Sequence, residues 1–173
     1  MPGAGDNSQP TTDNILSMKL YVLRHAEAVD HAPTDAAREL TPHGLEQARR
    51  VGEFCRQHDL APELVLTSPY RRAVQTAELF AAALGQTPQE APFLASGMHP
   101  ATALRELTAY TRLGAVVLVG HQPDLGQLIT TLIGLPREEN FPVGKASLTC
   151  LDVERLLPGG ASLRFTLPAR LMA

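Results

Sequence analysis

The sequence predicts an α/β fold, a three-layer α/β/α sandwich around a mainly parallel central sheet, with an antiparallel element near the C-terminus. Three observations favour it. Short apolar runs alternate with segments of helical periodicity over residues 19–133. The run at 115–119 is continuously apolar, as expected of a strand covered by helices on both faces. Two β-type segments, 147–153 and 162–167, flank Pro158-Gly159-Gly160, which is typical of a hairpin.

The first strand, loop and helix follow from residues 19–58. An apolar run at 19–23 predicts the strand, and the polar loop at 26–40 is long enough to suggest a function of its own. Thr41 supplies an N-cap and Pro42 a first-turn proline for a helix that runs to about residue 58.

A second strand and helix come next. Residues 64–67 form a short buried strand, Ser68 and Pro69 are predicted to cap the helix, and Gly85 ends it. The apolar face of that helix carries Ala73, Ala77, Phe80 and Leu84.

The third quarter of the chain repeats the alternation. Residues 86–98 are irregular, with room for a short strand, and Pro100 opens a helix over 100–113. The strand at 115–119 is followed by a helix over 124–133, which Gly134 terminates.

Size and composition indicate one folded domain. The chain has 173 residues, of which 44% are hydrophobic and 19% charged, and we find no internal repeat. We assign residues 18–173 to a single domain. Residues 1–17, rich in Gly, Pro, Ser, Thr and Asp, are predicted to be a disordered tail.

Several classes of protein are excluded by composition. The net charge of −3 and the lack of a basic run argue against nucleic-acid binding. No segment reaches the roughly 20 apolar residues that span a bilayer, and the start lacks the pattern of a secretory signal, so we expect a cytoplasmic protein that does not bind membranes. Cys55 and Cys150 form neither a disulfide framework nor a metal motif and are expected to be buried thiols.

Two strands of the predicted sheet end on a histidine. Arg24 and His25 follow the first strand, and His121 follows the strand at 115–119. Because α/β proteins bind ligands at the carboxyl ends of parallel strands, we expect the two imidazoles to meet at one edge of the sheet.

A third group of candidate residues starts the second helix. Arg71 and Arg72 fall in its first turn, where the helix dipole disfavours a cation unless an anion is bound. They lie about 100° apart around the helix, so at most one of them points at a given ligand. No glycine-rich phosphate-binding motif follows any predicted strand.

With these residues in place, the chain resembles the histidine phosphatase superfamily, and more narrowly its small SixA-type phosphohistidine phosphatases. The resemblance covers about residues 19–167. It rests on four ordered motifs: Leu23-Arg24-His25-Ala26-Glu27-Ala28, Arg38-Glu39-Leu40-Thr41 with Gly44, the string from Ser68 to Thr76, and Val119-Gly120-His121-Gln122-Pro123. In the third motif the family's arginine directly precedes the alanine, which selects Arg72.

The resemblance implies a phosphatase in which His25 accepts the phosphoryl group, with Arg24, Arg72 and His121 around it. The residue types suit that chemistry, because two guanidinium groups and an imidazolium can balance the charge on three phosphoryl oxygens. A neutral imidazole is also a competent nucleophile near neutral pH. We therefore expect no metal and no cofactor.

Two departures from the family pattern bear on the substrate. Ala26 stands where the superfamily usually has glycine. Larger members carry an acidic proton donor in the region that corresponds to residues 94–98, where this chain has no carboxylate. His99 and Glu27 are the nearest candidates for a proton donor, and neither matches the family's acid position.

The missing acid favours a substrate with a good leaving group. An alcohol with a pKa near the about 15.7 of water needs general-acid help worth roughly 10² to 10⁴ in rate. Imidazole, with a conjugate-acid pKa of about 6.5, needs far less. The predicted partner is therefore a protein carrying phosphohistidine.

Other interpretations stay open on the sequence. The substrate is alternatively a small phosphorylated metabolite or one of many phosphomonoesters, and the protein is alternatively a phosphate-binding regulatory module with weak turnover. Arg38 is a candidate for substrate binding or for a surface salt bridge, and Lys145 for added positive potential at the pocket or for a solvated lysine.

Overall fold

The computed structural model describes residues 18–136 and 141–172, so the disordered tail predicted over residues 1–17 lies outside the described residues. The described strands are β1 (Met18–Arg24), β2 (Leu64–Thr67), β3 (Gln89–Glu90), β4 (Ala115–Gly120), β5 (Leu148–Val153) and β6 (Ala161–Leu167). The described α-helices are α1 (Pro42–Gln57), α2 (Arg71–Ala82), α3 (Pro100–Leu107) and α4 (Asp124–Ile133).

The strands form one six-stranded sheet in the order β3-β2-β4-β1-β5-β6. The pairs β3–β2, β2–β4 and β4–β1 are parallel, whereas β1–β5 and β5–β6 are antiparallel. The prediction of a mainly parallel sheet with an antiparallel C-terminal element is confirmed. In the β1–β4 register Arg24 pairs with Gly120, so His25 and His121 both leave the same edge of the sheet.

Helices cover both faces of the sheet. One apolar core lies between the sheet and helices α1 and α2, with Phe80 among its fully buried side chains. A second core lies on the opposite face under α3 and α4, around Leu118 and Leu128. Cys55 and Cys150 are buried free thiols in the first core, as predicted. All six residues of β4 are buried, which explains its continuous apolar run.

The long loop between β1 and α1 is tied down at both ends. An isolated bridge joins Ala28 to Leu40, and a 3₁₀ turn at Asp35–Ala37 lies between them. Thr41 caps α1 as predicted, accepting a hydrogen bond from the backbone N–H of Gly44 at 3.0 Å. A Cβ atom on Gly44 would lie 1.9 Å from the carbonyl oxygen of Glu27, so only glycine fits between this helix and the loop.

Two predicted helix boundaries are wrong. Helix α2 has Tyr70, not Ser68, at its N-cap, because the Ser68 hydroxyl bonds the N–H of Tyr70 and a distant histidine. Helix α3 ends at Leu107 and not near residue 113. A 3₁₀ turn follows it, where the Thr108 hydroxyl donates to the carbonyl of Arg105 in competition with the helical backbone pattern. None of the helices described is both long and apolar enough to cross a membrane.

Candidate active site

The backbone around His25 is held by three neighbouring elements. The His25 N–H donates to the carbonyl of Gly120 on β4 at 3.0 Å. The Ala26 N–H donates to the Thr76 hydroxyl on α2 at 3.0 Å. The N–H of Ala146, just before β5, lies 3.2 Å from the carbonyl of Arg24 and 3.3 Å from that of His25. His25 therefore occupies a fixed place at the edge of the sheet.

The hydrogen bonds of the His25 imidazole distinguish its two ring nitrogens. Its Nδ1 atom lies 2.7 Å from the carbonyl oxygen of Ala26. Because a carbonyl oxygen only accepts hydrogen bonds, Nδ1 carries the ring proton and Nε2 keeps its lone pair. Burial lowers the pKa of His25 to about 3, with His121, Arg72 and Arg24 lowering it further against the opposing Ala26 hydrogen bond. The ring is neutral near physiological pH.

Arg72 reaches His25 from the first turn of α2. Its Nε atom lies 3.2 Å from Nε2 of His25. Its Nη1 donates to the backbone carbonyl of Asp35 at 2.6 Å and its Nη2 to the Asp35 carboxylate at 3.0 Å. The guanidinium carbon lies 5.1 Å from the centre of the Tyr70 ring, a cation–π distance. Arg72 is thus a buried cation directly beside His25.

His121 faces His25 across the site. The two ring centres are 5.3 Å apart, and Nε2 of His121 lies 2.7 Å from the Ser68 hydroxyl oxygen. The same hydroxyl accepts the N–H of Tyr70 at 3.2 Å, so Ser68 links the His121 ring to the start of α2. Burial and then Arg72 lower the pKa of His121 to about 4, against the opposing charge of Asp35.

The low pKa of His121 belongs to the site without a bound anion. There burial and two nearby guanidinium groups favour the neutral ring. A bound phosphoryl dianion would oppose both effects and favour the cation.

Arg24 completes the cluster from the end of β1. Its Nη1 donates to the carbonyl of Val143 at 2.8 Å. Burial, followed by repulsion from Arg72, lowers the pKa of Arg24 from its usual value, and a guanidinium stays charged in proteins. The four residues predicted to surround the phosphoryl group, Arg24, His25, Arg72 and His121, are thus brought together.

Two buried nitrogen atoms of this cluster have no partner. Nε of Arg24 and Nδ1 of His121 are inaccessible to solvent and make no hydrogen bond within the described chain. Leaving a buried donor unpaired costs about 1–3 kcal/mol, so such atoms are uncommon in folded proteins. Nε of Arg24 is always an N–H donor, so the two guanidinium groups of Arg24 and Arg72 together form a site suited to an anion.

The other candidate residues lie outside this cluster. Arg38 donates to the carbonyl of Val29 at 2.6 Å and to the Asp35 carboxylate at 3.0 Å, so it contacts the site only through Asp35. Lys145 is exposed, directly before Ala146. His99 is exposed at the N-cap of α3, where its side chain makes no capping bond to the described residues. Glu27 accepts the Thr41 hydroxyl at 2.7 Å and so stabilises the start of α1.

Sequence reasoning missed three polar residues that shape the site. Ser68 fixes the ring of His121, and Asp35 contacts Arg72. Asp124, buried in the first turn of α4, accepts the N–H groups of Gly97 and Met98 at 2.7 and 3.1 Å. The Asp124 carboxylate thus anchors the segment at residues 97–98, which the family resemblance singled out for its lack of a carboxylate. The length of the loop at 26–40 was the one signal that pointed towards Asp35.

Within residues 18–136 and 141–172, no three His, Cys, Asp or Glu side chains lie together in a group that could bind a metal ion. The donors that the cluster does offer are guanidinium and imidazole nitrogens, which suit an anion directly.

We expect His25 to titrate far below the about 6.5 of a free histidine in the phosphate-free protein. A histidine NMR titration of wild type against His25→Ala identifies its resonance and measures the midpoint. Because the folded pKa lies below the unfolded value, the unfolded chain takes up the proton first, and the free energy of unfolding decreases as the pH falls from about 6.5 towards the folded value. A midpoint near 6.5 in the folded protein would contradict the buried neutral ring.

Comparison with known proteins agrees with this geometry. The family model of the histidine phosphatase superfamily (branch 1) matches residues 20–96. An uncharacterised protein of Picosynechococcus is 40% identical over 119 residues, 64% of this chain and 70% of that protein. The Escherichia coli phosphohistidine phosphatase SixA is 28% identical over 121 residues, 66% of this chain and 74% of that protein.

Solved structures share the fold. A protein histidine phosphatase SixA complexed with tungstate aligns with a TM-score of 0.80 and 22% identity over 90% of this chain and 100% of its own. The alpha-ribazole phosphatase of Shigella flexneri aligns with a TM-score of 0.73 and 22% identity over 90% of this chain and 98% of its own. With the matched family and its relatives, the motifs and their geometry lead to one conclusion: the chain belongs to the histidine phosphatase superfamily and is similar to its SixA-type members.

Proposed function

We propose that this phosphatase hydrolyses protein phosphohistidine without a metal, through a phosphorylated His25. The observation that carries the proposal is the unprotonated Nε2 of His25 beside Arg72, in a cluster with two unpaired buried nitrogens. Nucleophile and anion-binding groups together suit transfer of a phosphoryl group better than binding alone.

In the first step Nε2 of His25 attacks phosphorus and forms a nitrogen–phosphorus bond, while the bond from phosphorus to the substrate's imidazole nitrogen breaks and its electron pair returns to that nitrogen. The substrate ring carries a proton on its other nitrogen and so leaves as neutral imidazole. The His25 proton stays on Nδ1, bonded to the carbonyl of Ala26. Arg72, Arg24 and His121 donate to the phosphoryl oxygens and stabilise their charge.

In the second step water attacks the phosphorus of phospho-His25. The nitrogen–phosphorus bond breaks, inorganic phosphate leaves, and the electron pair returns to Nε2. Two transfers, each with a good leaving group, replace one difficult hydrolysis.

The carboxylates near the cluster support a substrate that needs little acid catalysis. Hydrogen bonds from Arg38 and Arg72 lower the pKa of Asp35, so it stays ionised and is a poor proton donor. Glu27 is bonded to Thr41, and the carboxylate of Asp124 is used by two backbone N–H groups. An imidazole leaving group, with a conjugate-acid pKa of about 6.5, tolerates this arrangement, whereas an alkoxide does not.

A substrate panel tests the proposal. The purified protein is incubated with a phosphohistidine peptide, an aryl phosphate and a sugar phosphate, each with and without a chelator. We expect kcat/KM to be highest for phosphohistidine and unchanged by the chelator. Faster hydrolysis of the sugar phosphate would favour a small-metabolite phosphatase, and binding of phosphate without turnover of any substrate would favour a regulatory module.

A further inference from the structure

Tyr70 is an aromatic residue that lies against the cluster. Its ring centre is 5.0 Å from that of His121, in an edge contact with 60° between the planes, and 5.1 Å from the guanidinium carbon of Arg72. His25 has the same two neighbours, with its ring centre 5.3 Å from that of His121 and its Nε2 3.2 Å from Nε of Arg72. The rings of His25 and Tyr70 make no contact with each other within the described chain. In this cycle of four contacts, His25 and Tyr70 are at opposite corners.

The leaving group of the substrate departs on the side of phosphorus that is opposite His25. In phosphoryl transfer the attacking and leaving atoms lie roughly in line, with phosphorus between them. In the proposed function phosphorus lies at Nε2 of His25, next to Arg72 and His121. Because Tyr70 contacts these two residues and not His25, it lies on their far side from the attacking atom, which is the side of the leaving group.

We infer that the Tyr70 ring packs against the substrate's imidazole as that imidazole leaves, so that the site favours a phosphoryl group carried on a flat aromatic ring. The inference rests on the proposed function, because it takes Nε2 of His25 as the attacking atom. It makes Tyr70 a residue that determines specificity for the leaving group.

The Tyr70 side chain is available for such a contact. The residue is half-buried at the N-cap of α2, where its side chain makes no capping bond. Its hydrogen bonds use the backbone: the N–H donates to the Ser68 hydroxyl, and the carbonyl accepts the N–H groups of Ala73 and Val74 at 2.8 and 3.0 Å. A change of side chain therefore leaves the hydrogen bonds at the start of α2 in place.

An aromatic leaving group gains from this contact, and a leaving group without a ring does not. Aromatic rings attract each other beyond simple burial when they meet edge to face or offset, with centres about 4.5–7 Å apart. The usual strength of such a pair corresponds to about a fivefold change in an equilibrium or rate constant. We therefore expect the Tyr70 ring to raise kcat/KM about fivefold for a substrate that leaves as imidazole.

Two small substrates with a phosphorus–nitrogen bond test the inference: phosphoimidazole, which leaves as a ring, and phosphoramidate, which leaves as ammonia. Tyr70→Leu removes the aromatic ring and keeps an apolar side chain, and the matched control Tyr70→Phe keeps the ring. Steady-state kinetics gives kcat/KM of each protein for both substrates. We expect the ratio of kcat/KM for phosphoimidazole to kcat/KM for phosphoramidate to fall about fivefold in Tyr70→Leu and to match wild type in Tyr70→Phe.

The ratio separates contact with the leaving group from support of the phosphoryl site. Losing the contacts of Tyr70 with Arg72 and His121 lowers kcat/KM for both substrates by the same factor and leaves the ratio unchanged. An unchanged ratio in Tyr70→Leu, or an equal fall in Tyr70→Phe, would overturn the inference alone. Tyr70→Met replaces Tyr70→Leu if that variant does not fold. Lack of turnover of both substrates by the wild-type protein would overturn the proposed function, and the inference with it.

Discussion

Replacing His25 with alanine is expected to lower kcat by a factor on the order of 10⁴ to 10⁶, the range seen when an enzyme loses its nucleophile. The reason is the position of Nε2, which is unprotonated and beside Arg72, while Nδ1 is bonded to the carbonyl of Ala26. The measurement is single-turnover hydrolysis of a phosphohistidine peptide, together with trapping of the phosphorylated enzyme. An acid-labile, base-stable phosphoryl group should form on the wild-type protein and not on His25→Ala.

A matched variant separates loss of the nucleophile from loss of any histidine. His99→Ala removes an exposed imidazole at the start of α3 and also tests its candidacy as proton donor. We expect its kcat to stay within about threefold of wild type, since His99 is not part of the described cluster. Circular dichroism checks that both variants fold. Wild-type turnover by His25→Ala would exclude a phospho-His25 intermediate.

Replacing Arg72 with alanine is expected to lower kcat/KM by about 10³ or more, the effect of removing an arginine that stabilises a phosphoryl transition state. Arg72→Lys should recover little of the loss. A lysine offers a single point charge, whereas Nε and Nη2 of Arg72 point along one edge towards His25 and the phosphoryl oxygens. Steady-state kinetics with a phosphohistidine peptide measures both variants.

Arg71 provides the control for charge on the same turn. Its exposed side chain bonds Glu39 at 3.3 Å, and it lies next to Arg72 in sequence. We expect Arg71→Ala to retain kcat/KM within about threefold of wild type. Equal losses in the two variants would mean that general positive charge near the site, and not the contact of Arg72 with His25, supports catalysis.

The sheet and the four residues of the cluster could be predicted from the sequence, because apolar strands alternate regularly with amphipathic helices along the chain. Because His25 and His121 each follow a predicted parallel strand, the sequence predicts that both lie at the same edge of the sheet. The pairing of Arg24 with Gly120 places both histidines at that edge. Selection of Arg72 over Arg71 came from the family motif, because helical geometry alone left both arginines open. The buried position of Arg72 and the exposed position of Arg71 agree with that selection.

The missed features depend on contacts between distant parts of the chain. Ser68 looks like a helix cap from its neighbours, yet its hydroxyl bonds His121, 53 positions away. Asp35 lies in a 3₁₀ turn without periodicity, 37 positions before Arg72. The hydrophobic pattern of the sequence does not show that α3 ends early, because the apolar spacing continues beyond Leu107. The helix ends where the hydroxyls of Thr108 and Thr111 donate to backbone carbonyls three positions earlier.

The position of β1 at the centre of the sheet decides when the site can assemble during synthesis. Its neighbours on either side, β4 and β5, are both made much later than β1 itself, and the Ala146 N–H that pins the backbone at His25 comes later still than β4. A ribosome-bound chain that has emerged only as far as α3 therefore carries His25 at the end of an unpaired strand. His25 acquires its defined position only when most of the chain has left the ribosome, and closure of such long-range pairings is the slow part of folding for this topology.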